Sequence, residues 1–220
     1  MKNAIESLLI VYTVDNGKLK ILLKKKDNEP YKGYWIIPGE RLTNEISLEE
    51  NPRLVFKNIT NINIEDIKPA GIYNEINIDE ERIIELTYVT IADKSVVDIK
   101  KEDDVEWFDI ENLPKIGYNH SEIIEEATKD IKEKIIYNSS NIILELFRND
   151  FTLSELQTFY ENILKKQIDR RNFRKKIISQ NLVIDTGEKT KTSAGRPGKL
   201  YRFNKENMKG KIIWTNLVGD

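Results

Sequence analysis

The fold of the C-terminal part of this chain is decided by residues 151–185, FTLSELQTFYENILKKQIDRRNFRKKIISQNLVID. The stretch opens with a T-x-x-E capping box, Thr152 to Glu155, in which the hydroxyl and the carboxylate each bind a free backbone N–H group at a helix start. The residues that follow give this helix a broad apolar face: Leu153, Leu156, Phe159, Tyr160, Ile163 and Leu164. We therefore predict a supporting helix that begins at this box.

A second helix is predicted over residues 170–180, with Asp169 as its N-cap. Phe173 and Ile177 point to one side of this helix, because they lie four residues apart. Four cations point to another side: Arg170, Arg171, Arg174 and Lys175. Apolar anchors on one side and cations on the other are typical of a recognition helix in the major groove of DNA.

Two strands follow, at residues 181–187 and 199–203, and the segment that connects them is rich in Lys, Arg and Gly. Two helices followed by a hairpin with a basic tip form a winged helix-turn-helix. The wing of such a domain contacts phosphates or the minor groove beside the recognition helix.

The sequence offers two sets of candidate DNA contacts. Arg and Asn side chains can bind guanine and adenine edges in pairs of hydrogen bonds, so the candidates for base contacts are Arg170, Arg171, Asn172 and Arg174. The candidates for phosphate contacts, which position the protein without specifying sequence, are Thr152, Ser154, Lys175, Lys189 and Lys191. Arg196, in the segment that connects the two strands, is a further candidate for a DNA contact. Structural alternatives stay open for Asn172, as a support of the helix start, and for Ser154, as an ordinary residue of a first turn.

Composition and charge agree with two domains of different character. At 220 residues, 39% of them hydrophobic, the chain is long enough for two domains, which we predict over residues 1–138 and 139–220. Between residues 165 and 211 there are 15 Lys and Arg against 4 Asp and Glu, a net charge of +11, which leaves −13 for the rest of the chain. This asymmetry favours a polyanionic partner for the C-terminal part, although a solvated basic face would give the same count.

The remaining global features indicate a cytoplasmic protein. The chain has no cysteine, so a disulfide framework and a thiolate zinc site are excluded. No apolar run approaches the length of about 18 residues that a membrane span requires. The N-terminus resembles a first strand rather than a signal peptide, because Glu6 lies close before the apolar residues and a small-residue cleavage site is missing.

The first half of the chain predicts an α+β domain. Strand patterns occur at residues 5–13, 19–24, 34–37, 71–75, 83–92 and 105–108, and Asp15-Asn16-Gly17 predicts a hairpin turn after the first strand. A helix is predicted over residues 48–60, with Pro52 in its first turn. A further helix is predicted to start near His120, with Ser121 as its N-cap.

One segment, Gly33-Tyr34-Trp35-Ile36-Ile37-Pro38-Gly39, resembles the entry to the Nudix box of diphosphohydrolases. The box pattern fits residues 40–62 without a gap, but Glu40 stands at its first Gly, Ile46 at its first Glu, and Asn58-Ile59 at its paired metal-binding glutamates. Mg²⁺ needs such oxygen ligands to polarise a phosphoryl group and the attacking water. We therefore expect no hydrolase activity, no bound metal and no cofactor.

With both halves considered together, most of the chain resembles the Nudix-related transcriptional regulators, NrtR-like and AraR-like. The matches lie at residues 117–120, 151–157, 160–161, 169–175, 195–197 and 200–203. The resemblance implies a Nudix-like α/β/α sandwich followed by the winged helix-turn-helix. It also implies a homodimeric repressor that binds a pseudo-palindromic operator and responds to a small effector, either a sugar or a nucleotide derivative.

The resemblance also implies where the effector binds. The candidate residues are Trp35, Glu40, Tyr73, Glu75, Arg82, Tyr88 and His120. Each has a structural alternative: Trp35 and Tyr88 as core aromatics, Arg82 as an ion-pair partner of a neighbouring glutamate, and His120 as a cap or hinge residue. Two other functions stay open at this point. One is a Nudix-type hydrolase of a nucleoside diphosphate derivative, and the other is an RNA-associated or architectural binding protein without an effector.

Overall fold

The computed structural model describes residues 3–76, 82–95, 97, 99, 104–137, 140–191 and 197–208, without the side chains of residues 75, 76 and 140. The chain forms two compact units, one of Met1–Thr13 with Lys20–Thr128 and the other of Val14–Leu19 with Lys129–Asp220. The domain boundary predicted at residues 138 and 139 lies outside the described residues, and it stays a prediction.

The first unit is built on a seven-stranded sheet. Its strands are β1 (Asn3–Asp15), β2 (Lys18–Lys25), β3 (Trp35–Ile36), β4 (Gly39–Arg41), β5 (Lys68–Ile76), β6 (Arg82–Ile91) and β7 (Val105–Asp109). The order is β3-β2-β1-β6-β5, with β4 paired to β1 and β7 paired to β2. Strand β1 runs parallel to β6. Seven residues in succession along β1, 7 to 13, are buried, as expected for a central strand that is covered on both faces.

Helices cover the two faces of this sheet. On one face, α1 (Asn51–Thr60) packs Val55 and Phe56 in one cluster with Leu9 and Leu22 of the sheet. On the other face lies the first part of α2 (His120–Tyr137), since the hydroxyl groups of Tyr12 and Thr128 are 3.1 Å apart and Tyr12 alternates with its neighbours along β1. The predicted α/β/α sandwich is confirmed.

The second unit contains the predicted winged helix-turn-helix. Its further elements are α3 (Ser140–Leu146), α4 (Leu153–Leu164), α5 (Arg170–Ser179), β8 (Val183–Lys189), β9 (Lys199–Phe203) and α6 (Lys205–Met208). Four phenylalanine rings form its centre, with centroids 4.7–6.1 Å apart: Phe147, Phe151, Phe159 and Phe203. The N–H groups of Phe151 and Tyr201 each donate to the other's carbonyl at 2.8 Å. Residue 151 therefore extends the β8–β9 hairpin just before α4 begins.

The turn between β1 and β2 is the other part of the second unit. Asn16 and Gly17 have φ values of 53° and 73°, which confirms the predicted hairpin turn. The Gly17 carbonyl accepts a hydrogen bond from Nδ2 of Asn162 at 2.9 Å. A Cβ atom at Gly17 would lie 2.8 Å from the Glu155 carbonyl oxygen and 2.8 Å from Cβ of Thr158. The close approach of this turn to α4 thus requires glycine.

Several details differ from the sequence prediction. Helix α1 begins at Asn51 rather than at residue 48, because Ser47 and Glu50 hydrogen-bond to each other across a preceding turn. The prediction of Ser121 as an N-cap was wrong, because α2 already begins at His120. Strand β4 and helix α3 were not predicted. None of the helices in the described part of the chain combines the length and the apolar character needed to cross a membrane.

Candidate nucleic-acid interface and ligand-binding residues

The start of α4 has the predicted capping box. Thr152 Oγ1 accepts a hydrogen bond from the Glu155 N–H at 3.1 Å, and the Glu155 carboxylate accepts one from the Thr152 N–H, which lowers its pKa. Burial raises the pKa of Glu155 more strongly, so the net shift is upward. The box fixes the first turn of the supporting helix where the chain leaves the sheet of the wing.

Two polar side chains on α4 hold the turn that leads to α5. The Glu161 carboxylate accepts a hydrogen bond from the Ile168 N–H at 2.9 Å, and Gln157 Nε2 donates to the Ile168 carbonyl at 3.0 Å. Both backbone groups of one turn residue are thereby satisfied. The sequence resemblance included Gln157 and Glu161 but gave them no role. In the structure these two side chains hold the turn that connects α4 to α5.

Helix α5 begins as predicted and divides its side chains between two faces. The Asp169 carboxylate accepts a hydrogen bond from the Asn172 N–H at 2.8 Å. Phe173 and Ile177 are fully buried. An α-helix turns about 100° per residue, so the side opposite this anchored face carries Arg171, Asn172 and Lys175, all of which are exposed. We call these three residues, with Ile178 and Ser179 farther along the helix, the outer face of α5.

A cleft of about 530 Å³ lies between the start of α4, one side of α5 and the wing. Its lining contains four cations, two hydroxyls and one leucine at the start of α4, and three other residues of the wing: Thr152, Leu153, Ser154, Arg170, Arg174, Lys189, Pro197, Gly198, Lys199 and Tyr201. One guanidinium nitrogen of Arg174 donates to Oγ of Ser154 at 3.1 Å, while its buried Nε has no hydrogen-bond partner among the described residues. Lys199 forms an ion pair with Asp185 at 2.9 Å. The cleft therefore suits a phosphate group, which needs cations and hydroxyl donors together.

The predicted DNA-binding residues fall into two groups. Five of them line the cleft, namely Thr152, Ser154, Arg170, Arg174 and Lys189, while Arg171, Asn172 and Lys175 lie on the outer face of α5. Lys191 is exposed after β8, and Arg196 lies outside the described residues. Sequence reasoning missed Lys199 and Tyr201, which line the cleft. The alternation of side chains along β9 would have placed these two on one side of the strand.

Tyr73 and His120 lie on the α2 side of the first unit. The Tyr73 hydroxyl donates to the Glu126 carboxylate at 2.7 Å, and burial together with this bond raises the pKa of Tyr73 to about 12. Buried His120 accepts the Ile37 N–H at Nδ1, 3.0 Å away, and its Nε2 lies 3.5 Å from the buried Glu85 carboxylate. These contacts give His120 a structural role between the start of α2 and the sheet, while its prediction as an effector residue stays untested.

The other effector candidates are dispersed. Tyr88 packs against the α1 side and donates to the Leu48 carbonyl at 3.2 Å. The ring of Trp35 meets that of Phe108 edge-on at 4.6 Å. Glu40 on β4 and Arg82 at the start of β6 are exposed, and the side chain of Glu75 lies outside the description. The described residues therefore do not bring all seven candidates into one pocket, and their roles stay predictions.

The residues at the box positions of α1 differ in environment. Val55, which stands at the glutamate of the box's Arg-Glu pair, lies with Ile59 in the hydrophobic core, and Asn58 is exposed. Among the residues that the structure describes, no group of three or more His, Asp or Glu side chains is arranged to hold a metal ion. The helix that would carry the metal ligands of a diphosphohydrolase serves here to close the core over the sheet.

These features define the fold, a Nudix-like sandwich followed by a winged helix-turn-helix unit. Residues 143–203 match the family model of the NrtR DNA-binding winged helix domain. The chain is similar to the "ADPR responsive transcriptional repressor NtrR" of Acinetobacter baylyi, with 27% identity over 204 residues, 89% of this chain and 80% of the relative. It is also similar to the ADP-ribose pyrophosphatase of Methanocaldococcus jannaschii, with 32% identity over 111 residues, 49% of this chain and 64% of the relative.

Solved structures have the same fold. Shewanella oneidensis NrtR complexed with a 27mer DNA superimposes with a TM-score of 0.70 at 24% identity, over 93% of this chain and 95% of that one. The NUDIX domain of the same protein complexed with ADP ribose gives a TM-score of 0.52 at 18% identity, over 60% of this chain and 90% of that one. The predicted resemblance to NrtR-like regulators is confirmed.

Proposed function

We propose that this chain is a DNA-binding transcriptional repressor whose Nudix-like domain binds a small metabolite and controls operator affinity. The observation that carries the proposal is the division of α5: exposed Arg171, Asn172 and Lys175 on its outer face, beside a cleft whose cations suit phosphate. Base contacts give sequence preference and phosphate contacts give position and affinity. The match of residues 143–203 to a DNA-binding domain family supports the same conclusion.

On this proposal, the repressor acts as a homodimer in the cytoplasm. A two-fold symmetric dimer presents two equivalent recognition helices, so its operator consists of two half-sites in inverted orientation. Half-site spacing then follows from the distance between the two α5 helices. The repressor name of the Acinetobacter relative supports repression as the sign of control.

ADP-ribose is the first effector to test. Its support is twofold: one relative is named as ADPR responsive and the other as an ADP-ribose pyrophosphatase. The Nudix-like domain binds its effector without cleaving it, because buried Val55 and Ile59 stand on the box helix and the exposed Asn58 offers one neutral oxygen in place of a carboxylate. An effector that favours one dimer arrangement by about 1 to 3 kcal/mol changes operator affinity roughly 5- to 150-fold.

The DNA-binding part of the proposal is tested with two arginine variants and one control. Random duplex DNA is selected on the purified full chain, and the selected operator is titrated at several salt concentrations. In the Arg171→Ala variant we expect relaxed preference at one base pair of each half-site, a loss of about 1 to 3 kcal/mol per contact. In the Arg174→Ala variant we expect weaker binding to all duplexes and a log-log salt slope smaller by about 1 per subunit.

Lys57→Ala is the matched control, because Lys57 is an exposed cation on α1 in the first unit. It is expected to bind the operator as the wild type does. Sequence-blind binding by the wild-type protein would refute the regulator, because phosphate contacts alone give no preference among sequences. ADP-ribose is then titrated into the protein–operator complex, and unchanged affinity at saturating ADP-ribose would exclude it as the effector.

A Nudix-type hydrolase is the second candidate, and the similarity of 111 residues to a pyrophosphatase favours it. Its test is incubation of the protein with ADP-ribose and Mg²⁺, followed by chromatography for AMP and ribose phosphate. We expect no products above the protein-free rate. Product formation that persists when the arginine and lysine side chains proposed to bind DNA are replaced by alanine would establish the hydrolase instead.

A further inference from the structure

One residue of the outer face of α5 is apolar. Ile178 is 50% exposed, whereas the adjacent Ile177 is fully buried. Ile178 follows Arg171 by seven residues, so the two side chains leave the helix within about 20° of each other. Lys175 lies one turn before Ile178 on the same side. An isoleucine thus shares the outer face with two of the cations that we assign to DNA.

A single exposed isoleucine is ordinary on a protein surface, so its partner must be argued from its surroundings. A second copy of this face would place like charges opposite one another, which is unfavourable. An apolar protein surface would leave Arg171 and Lys175 without counter-charges. The complementary partner is a polyanion that also offers a small apolar group.

The major groove of DNA has that composition. Its phosphates are anionic, and thymine exposes a 5-methyl group there, which apolar side chains contact. Double-stranded RNA does not fit, because it has uracil in place of thymine and therefore lacks the methyl group. Its major groove is also too narrow for side chains to reach base edges. A recognition face that extends over two helical turns, from residue 171 to residue 178, also fits the spacing of base-contacting residues in a groove-bound helix.

We propose that Ile178 is a specificity-determining residue that contacts the methyl group of one thymine in each operator half-site. The proposal rests on the proposed function and adds a base identity to it. The residue makes an apolar contact and no hydrogen bond. It therefore distinguishes thymine from cytosine and from uracil, which lacks only the methyl group.

The test replaces thymines by deoxyuridine, one position at a time, in the operator selected on the full chain. With the wild-type protein, one thymine per half-site is expected to matter, and its replacement weakens binding about fourfold, the factor for burial of one methyl group. With Ile178→Ala, thymine and deoxyuridine at that position are expected to bind equally. With Ile178→Val, which keeps a branched apolar side chain, part of the discrimination is expected to return.

Ile184→Ala is the matched control, because Ile184 on β8 is 49% exposed but lies on the wing. The wing of such a domain contacts phosphates or the minor groove, and thymine exposes no methyl group in the minor groove. This control is expected to keep the thymine preference. The proposal is overturned if no thymine-to-deoxyuridine replacement affects the wild type, or if the effect persists in Ile178→Ala. Failure of the proposed function is a different result, because the wild type would then select no operator at all.

Discussion

Replacement of Gly17 by alanine tests how tightly the β1–β2 turn packs on α4. The backbone at Gly17 has a φ of 73°, and an L-residue with a side chain adopts this region at a cost of about 1 to 2 kcal/mol. The new Cβ would also lie 2.8 Å from the Glu155 carbonyl oxygen. Relief of that contact must move backbone, and such overpacking typically costs about 1 to 3 kcal/mol. We expect Gly17→Ala to lower the free energy of unfolding by about 2 to 5 kcal/mol.

Gly187→Ala separates the two contributions. Gly187 lies in the same unit with a φ of 78°, and no atom of the described residues beyond its chain neighbours lies within 4 Å of the position that its Cβ would take. This variant should therefore show only the backbone cost of about 1 to 2 kcal/mol. The measurement is urea unfolding of both variants and the wild type, followed by far-ultraviolet circular dichroism, with hydrogen exchange of α4 amides as a local probe.

The expected result is a lower urea midpoint for Gly17→Ala than for Gly187→Ala, together with faster exchange in α4. Equal midpoints would refute the reasoning, since both variants would then differ from the wild type only by backbone strain. The range given for Gly17→Ala contains no contribution from the hydrogen bond that Asn162 donates to the Gly17 carbonyl. Asn162→Ala measures that bond separately, at about 0.5 to 1.5 kcal/mol.

Two further predictions concern single contacts. The pKa of the Tyr73 phenol should lie at about 12 rather than 10.0, because burial and the hydrogen bond to Glu126 raise it. The stability that this raised pKa contributes is present below pH 10 and is lost as the pH rises towards 12. Ultraviolet titration of the wild type against Tyr73→Phe checks the value, and an unchanged value in Glu126→Gln would contradict the role of the carboxylate. Asp169→Ala should cost about 1 kcal/mol of stability and weaken operator binding, while Asp169→Asn keeps most of the cap; denaturation and binding titrations of both variants decide this.

Local signals in the sequence predicted the winged helix unit well. The Thr152–Glu155 box and the Asp169 cap are short-range devices, in which one side chain binds backbone three residues away, so their pattern specifies their geometry. The apolar anchors Phe173 and Ile177 fixed the inner side of α5 by helical periodicity. The central strand β1 was equally clear from its run of apolar residues.

Contacts between distant residues explain what the sequence missed. Strand β4 is three residues long and exists because it pairs with β1, so no local pattern indicates it. His120 was named as an effector candidate or a hinge, and its bond to the Ile37 N–H, 83 residues away, depends on the tertiary fold. The sequence named Arg174 as a candidate for base contacts, which stays a prediction. Its place in the lining of the cleft was not foreseen, because helical spacing alone does not show where the wing lies.

The outer face of α5 was predicted in part. The four-residue spacing from Phe173 assigned Ile177 to the inner side of the helix, and Ile177 is fully buried. The sequence did not single out Ile178, whose side chain is 50% exposed once the helix is packed.

The discontinuity of the second unit limits how this DNA-binding module can be exchanged between proteins. A gene fragment that starts at residue 139 encodes α4 without residues 14–19, and so without the carbonyl that Asn162 binds. A recombination event at the interdomain segment would join the module to a foreign sheet whose first turn has a different shape. An exchange that preserves the packing of this turn on α4 requires a glycine-containing turn of the same geometry in the new N-terminal sheet. We therefore expect residues 14–19 and the winged helix segment to be inherited together.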